Sequence, residues 1–416
     1  MVKHGLIVSY YFPPTGGGGV QRWTKFIKYL SRLGWQFTVI THQNSTHSTY
    51  DESLEAELPQ SLKIVRIVES KKNLPVSNFK SNGSYWQRWL SAFYYIPDSR
   101  KSWNKILWGK LICEIDNSNF DVVICTIPPY SLAKIATKLT QKYSHLPVVL
   151  DMRDPWTINP YKIHPTIFHL KQDRKYENSN ISAINNYVYA YQSTLDYYKE
   201  SVNNFTNKSN IVIPNGFDKE DFVDLKSESL KTKSGFNIAF SGTFYSHLNN
   251  PKPLFKAIAA LKAQGEIIYF HHIGKSVYDV KKLAGKLGVD NQVMIWGYQS
   301  HQKCLEILKA MDAFVVILDE SVKNADKTAG GKIYEYLGFK KPILAIVPEN
   351  GEATKIINLT NSGIICSYKN IQEIVEAIKK IKVANFKYNK IEQFSRESQA
   401  QQLNKFIEKI INEKNM

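Results

Sequence analysis

Short apolar runs alternate with stretches of helical period throughout this sequence, and that alternation limits the fold more than any other feature. A parallel strand buried on both faces reads as a continuous apolar run, and it needs a crossover, usually a helix, before the next strand. Residues 5–12, GLIVSYYF, fit a first strand, which Pro13 and Pro14 break before a loop of Gly16, Gly17, Gly18 and Gly19. Over 20–33, Val20, Trp23, Phe26, Ile27 and Leu30 share one face at the 3.6-residue period. Gly34 ends that helix, and 37–41 supplies the next strand. A glycine loop at the carboxyl end of a strand lies where α/β sheets place ligands. Its spacing is not G-x-G-x-x-G and no acid ends the second strand, which argues against an oxidoreductase.

The pattern continues with expected strands at 62–68, 122–126, 148–150, 181–187 and 211–213, and amphipathic helices at 85–95 and 102–115. A polar stretch, 218–234, reads as a linker. A second series then places strands at 238–241, 267–273, 293–296, 313–318 and 343–347, with helices near 253–263, 279–287, 301–310 and 331–338. Two more helices are marked by Ile371, Ile374, Val375, Ile378 and Ile381, and by Leu403, Phe406, Ile407, Ile410 and Ile411. The expectation is an α/β protein of two doubly wound, Rossmann-like domains, 1–216 and 217–385, with 386–416 a C-terminal helix returning to the first.

At 416 residues the chain accommodates two to three domains. Cys113, Cys125, Cys304 and Cys366 show no C-x-x-C spacing and three sit in apolar runs, as in a protein of a reducing compartment. Neither a signal peptide nor an 18-residue apolar run is evident, so a cytoplasmic location is expected. The net charge of +17 is uneven: residues 60–110 hold ten Lys/Arg against Glu69 and Asp98, and also Trp86, Trp89, Trp103 and Trp108. No DNA- or RNA-binding motif accompanies that charge, so nucleic acid is not the expected partner. Trp86, Arg88, Trp89 and Trp103 fit either an anionic membrane surface or a lipid-linked ligand. The plainer alternative is an amphipathic helix packed on its own domain with a solvated basic face.

Residues 327–352, KTAGGKIYEYLGFKKPILAIVPENGE, combine a glycine loop, a helix, a basic turn and an apolar strand. Thr328, Gly330 and Gly331 lead into the helix, whose unpaired N–H groups and partial positive charge suit a phosphate. Glu335 on the same helix stands within reach of a sugar hydroxyl beside that phosphate.

These motifs occur in order with YFPPTGGGGVQRW (11–23), IPDSRKSW (96–103), TIPPYS (126–131), DMRDPW (151–156), VIPNGFD (212–218), FSGTFY (240–245), HIGK (272–275) and WGY (296–298). Together they resemble a GT-B glycosyltransferase, most similar to glycosyltransferase family 4. The resemblance implies two domains facing across a cleft, with a nucleotide-sugar donor held mainly by the second. A saccharide or lipid-linked acceptor is held by the first, and transfer retains anomeric configuration, in polysaccharide or glycolipid assembly. It implies no cofactor and no metal, and no D-x-D follows an apolar strand here. It places Gly16, Gly17, Gly18, Gly242, Thr243, Gly274, Trp296, Gly297, Tyr298, Lys327, Thr328, Gly330, Gly331, Lys332 and Glu335 around the donor, with Glu335 on the ribose. Asp151, Arg153 and Asp154 stand where many relatives carry a catalytic-site His. They are expected to orient the acceptor hydroxyl or, alternatively, to form an internal salt-bridge network.

The sequence departs from the family in two places. Lys327 replaces the first of the family's two glutamates, and Asn249-Asn250 and Thr243-Phe244 replace its usual Lys and Arg. Lys332, and with it Lys327, is expected to supply the missing charge, the alternative being that both are solvated surface lysines. A GT-B nucleotide-sugar epimerase is the competing activity.

Overall fold

The computed structural model describes residues 2–43, 50–68, 85–202, 205–223, 225 and 234–415. The chain divides into two compact units, one formed by residues 1–215 with 396–416 and the other by 216–395.

The first unit is built on seven parallel strands: β1 Lys3–Ser9, β2 Trp35–His42, β3 Lys63–Ile67, β4 Val122–Ile127, β5 Val148–Met152, β6 Asn186–Tyr189 and β7 Ser209–Val212, in the order β3-β2-β1-β4-β5-β6-β7. Every residue of β4 and β5 is buried, as the continuous apolar runs require of central strands covered on both faces. Helix α1, Gly18–Arg32, covers one face beside the last helix of the chain, Arg396–Asn415. Phe26, Ile27 and Leu30 share a core with Ile7, Val39, Leu403 and Ile407. On the other face, α3, Lys101–Asp116, buries Trp103, Leu107, Leu111 and Ile115, one residue per turn. Helix α2 spans Tyr85–Tyr94, and residues 79–84 of the aromatic-basic segment lie outside the described residues.

Two expectations change here. Trp103, placed by sequence at an acceptor or membrane surface, is 0% exposed and meets the Tyr10 ring edge-on at 5.1 Å, so it is core. The stretch 181–187 is not one strand: Ile181 belongs to α5, Ile167–Ala183, and the strand begins at Asn186. That helix escapes sequence reading because its buried positions include His169, Asp173, Glu177 and Asn180, a polar stripe at helical spacing. Helices α4, Ala133–Lys142, and α6, Gln192–Ser201, complete the layer.

The second unit carries six parallel strands: β8 Phe236–Ser241, β9 Ile268–Ile273, β10 Val293–Gly297, β11 Ala313–Ile317, β12 Ile343–Ile346 and β13 Gly363–Cys366, in the order β10-β9-β8-β11-β12-β13. The crossovers are α7 Lys252–Ala263, α8 Val280–Lys286, α9 His301–Lys309, α10 Lys332–Phe339, α11 Glu352–Thr360 and α12 Ile371–Ile381. Residue 352, the last of the 327–352 stretch, opens α11. Of the expected linker, Lys219–Phe222 forms a 3-10 turn capped by Asp218, while 224 and 226–233 lie outside the described residues. The last helix, Arg396–Asn415, is α13.

Candidate active site

In the second unit, β8, β9 and β10 stand side by side and run out at Gly242, Gly274 and Gly297, with φ of +143°, +144° and +68°. Gly242 N–H donates to the Ile273 carbonyl at 2.8 Å, and Gly274 N–H to the Gly297 carbonyl at 2.7 Å. A Cβ on Gly274 would lie 2.0 Å from the Gly242 oxygen, so no side chain fits between these strand ends. The loop that follows β8 is braced from within. Asn249, 5% exposed, donates to the Thr243 carbonyl at 2.9 Å and accepts from Tyr245 N–H at 2.7 Å. The residue standing in the region of the family's lysine is thus a loop brace.

Trp296 at the end of β10 donates from Nε1 to His271 Nδ1 at 3.2 Å, the two rings lying 20° from parallel. It also lines, with His272, Gly274 and Tyr278, a cavity of about 630 Å³. Tyr298 is 39% exposed, and the Lys275 ammonium lies 5.1 Å from its ring centre.

Helix α10 brings the charges together. Thr328 is buried and its hydroxyl oxygen accepts from Gly330 N–H at 3.4 Å, Gly330 has φ of +73°, and Gly331 caps the helix in solvent. One turn on, the Lys332 ammonium meets Glu335 Oε2 at 2.6 Å. The other carboxylate oxygen lies 3.4 Å from His301 Nδ1, and His301 Nε2 lies 3.0 Å from Asp221 Oδ2. Burial works against the Lys332 ammonium, but Glu335, Cys304 and Tyr336 outweigh it and hold its pKa above the ordinary value. Tyr336 accepts from Ser241 N–H at 2.7 Å and so pins α10 to the end of β8. Lys327 lies one loop earlier and pairs with its neighbour Asp326 at 2.8 Å, both side chains 39% exposed. His301 and Asp221 were not foreseen. The available signal was position, since His301 opens a helix just beyond the WGY strand end. Burial pushes the Cys304 thiol up to about 11 and that of Cys125 up to about 12, leaving both protonated and unsuited to nucleophilic work.

In the first unit, Gly16 is buried, Gly17 caps α1 with φ of +114°, and Gly18 is the first residue of that helix. Arg153 reaches back to this loop and donates to the Gly19 carbonyl, and a Cβ on Gly19 would sit 2.3 Å from its guanidinium. Asp154 lies 3.5 Å from Arg153 and is one-third exposed.

Asp151 takes the second of its two expected roles, as a member of an internal salt-bridge network. It is 0% exposed, Oδ1 accepts from Arg22 at 2.9 and 3.1 Å, and Oδ2 accepts from Trp23 Nε1 at 2.7 Å and Thr126 at 2.9 Å. Both oxygens are occupied by protein donors, so the carboxylate ties α1, β4 and β5 together and presents nothing to an acceptor hydroxyl. Of the DMRD cluster, only Arg153 and Asp154 reach the surface.

Trp86 is 69% exposed, Trp89 is half-buried and stacks on Phe93, and Arg88 donates to the Tyr161 carbonyl at 2.5 Å. The aromatic face extends beyond α2: Ile167 and Phe168 at the start of α5 are 66% and 61% exposed, and Phe93 contacts His169 at 4.8 Å. Among the described residues, no helix is long and apolar enough to cross a membrane.

Residues 222–410 match the model of the family described as glycosyl transferases group 1. No functionally curated protein matches the chain in sequence. Solved structures match over almost the whole length. Sucrose-phosphate synthase from Thermosynechococcus elongatus is similar with a TM-score of 0.73 at 12% identity, covering 99% of each chain. HepE of Anabaena, solved with UDP and glucose, gives 0.65 at 15%, covering 98% of this chain and 100% of its own. A glycosyltransferase from Rickettsia africae gives 0.61 at 17%, covering 99% and 97%. The two parallel sheets with their flanking helices form the GT-B fold of these neighbours. Residues 222–410 are thus a segment similar to the group 1 glycosyl transferases, carried on that fold.

Proposed function

We propose that the chain transfers a glycosyl residue from a nucleoside-diphosphate sugar, held at the strand ends of the second unit, to a saccharide or lipid-linked acceptor. The observation that carries the donor assignment is the Lys332–Glu335 pair on the first turn of α10, directly behind the loop of Thr328, Gly330 and Gly331. Helix amides and the Lys332 charge face a diphosphate, and Glu335 accepts from a ribose hydroxyl. The same positive charge stabilises the leaving diphosphate without a metal ion, and the departing phosphate oxygen takes the acceptor proton, with retention of configuration. Arg153 and Asp154, beside the glycine loop of α1, orient the acceptor.

Thermal-shift titration with nucleoside diphosphates and their sugars tests the donor site, since a bound ligand stabilises in proportion to its affinity. UDP comes first, because the similar HepE of Anabaena is solved with UDP and glucose. Nucleotide release that requires an acceptor and persists in EDTA supports transfer, whereas acceptor-independent conversion of the sugar identifies an epimerase. The exposed Trp86, Phe93, Tyr94, Ile167 and Phe168, set in a chain of net charge +17, favour work at an anionic membrane surface. Flotation with anionic vesicles at low salt, lost in Trp86→Ser and Phe168→Ser, is the expected result; absence of binding at low salt rejects that part.

A further inference from the structure

Glu335 is held by more than its own helix. Lys332, three residues earlier on α10, reaches Oε2 at 2.6 Å, and Nδ1 of His301, the first residue of α9, stands 3.4 Å from Oε1. The other ring nitrogen lies 3.0 Å from Oδ2 of Asp221, on the 3-10 turn Lys219–Phe222. All four residues belong to the second unit. Segments far apart in sequence thus converge on one carboxylate, and the His301 and Glu335 side chains are each only 9% exposed.

The imidazole is fixed from both sides. Ser300 caps α9, its hydroxyl oxygen accepting from Lys303 N–H at 3.4 Å, which sets the backbone of His301. The turn that carries Asp221 is fastened to α10. A Cβ on Gly338 would lie 2.3 Å from the Phe222 ring, so that ring rests on the helix backbone, and it meets Phe339 edge-on at 4.8 Å. An N–H on each ring nitrogen lets His301 donate to both carboxylates.

A carboxylate offers about four lone-pair sites. Lys332 and His301 occupy one on each oxygen of Glu335, which leaves room for a ligand hydroxyl. Asp151, by contrast, is filled by Arg22, Trp23 and Thr126. The lysine alone is a poor support for a ligand-binding acid, because an ammonium drawn to a phosphate lets go of the carboxylate. His301 is a second hold that stays when the lysine turns.

Resting on the donor reading above, we infer that His301 is a positioning residue. Oriented by Asp221, it keeps the Glu335 carboxylate aimed at the ribose hydroxyls of a bound nucleotide while Lys332 serves the diphosphate. Recognition of the ribose, rather than of the base or the phosphates, is what depends on His301.

Calorimetric titration of the full chain with UDP and 2′,3′-dideoxy-UDP reads ribose recognition as the ratio of the two affinities. The wild type is expected to favour UDP about 10- to 100-fold, the range of a hydrogen bond to a charged group. Glu335→Gln is expected to bring the ratio to within a few-fold of equality. His301→Ala is expected to do the same while leaving dideoxy-UDP affinity unchanged, and to add no further loss in the Glu335→Gln background. Asp221→Asn, close in size, is expected to lower the ratio part of the way. An unchanged ratio in His301→Ala, or an equal loss of both ligands, overturns the inference; if that variant does not fold, an unchanged ratio in Asp221→Asn does so. Equal binding of the two nucleotides by the wild type, or no binding of any nucleoside diphosphate, removes the donor reading beneath it instead.

Discussion

Arg22 and Asp151 form a forked ion pair from which solvent is entirely excluded, the guanidinium reaching Oδ1 at 2.9 and 3.1 Å with both side chains 0% exposed. The same arginine donates to the Pro214 carbonyl at 3.1 Å, so the pair also holds the chain where it leaves the first unit. Removing one partner strands a buried charge, which costs about 3–5 kcal/mol. Asp151→Ala is therefore expected to lower the denaturation midpoint sharply while the folded fraction keeps its UDP affinity. Wild-type stability with lost turnover would return Asp151 to the chemistry.

Gly274→Ala places a methyl group against the Gly242 carbonyl, at a φ that favours glycine. The overlap and the backbone strain together are expected to cost about 1–3 kcal/mol and to weaken UDP binding by displacing the β8 and β9 ends. Gly265→Ala is the control, because its φ is also positive but the added Cβ meets nothing. Thermal melts and UDP titration on both variants separate strain from site damage.

Lys332 and Lys327 are distinguished by their surroundings. Lys332 is bound to a Glu335 carboxylate that is only 9% exposed, whereas Lys327 makes a surface pair with Asp326. Lys332→Gln is expected to weaken UDP binding about tenfold or more, as loss of a charge-assisted contact does. Lys327→Gln, removing an exposed pair worth ~0–1 kcal/mol, is expected to change affinity less than a few-fold. The opposite order would move the donor phosphate to Lys327.

Glu177 gives the fold a pH dependence of its own. Burial raises its carboxyl pKa from 4.5 to about 7, against the opposing hydrogen bonds from Thr157 and Tyr198. Between those two values the folded chain keeps a proton that the unfolded chain has released, so stability falls as pH rises through the window. The total is up to ~3 kcal/mol. Glu177→Gln keeps a neutral group with matching hydrogen bonds, so it is expected to equal wild type near pH 4.5 and exceed it near pH 8. Melting midpoints of both proteins across that range provide the check.

The sequence made the sheets legible because their central strands are apolar throughout; β4 and β11 have every residue buried. It hid α5, where Asp173 and Glu177 face inward and find partners only once Trp156, Thr157 and Tyr198 are folded around them. The glycine loop before α10 was readable as a local motif. The contact of His301 with Glu335 was not, since the two residues lie on different crossovers. Asp151 shows the converse limit. An acid at a strand's carboxyl end has the position of a catalytic group, and only the approach of Arg22 and Trp23 from α1 reveals that it is consumed internally.

Helix α13 has a consequence for the order in which the protein is made. Ala400, Leu403, Phe406, Ile407 and Ile410 complete the core formed by Ile7 and Val39 of the first sheet with Phe26 and Leu30 of α1, yet they are translated after all of 216–395. The second unit is continuous in sequence and fully translated while the first still shows an apolar face to solvent or to a chaperone. The part of the protein begun first is therefore the part finished last, and a ribosome stalled before residue 396 releases a chain whose first unit cannot close.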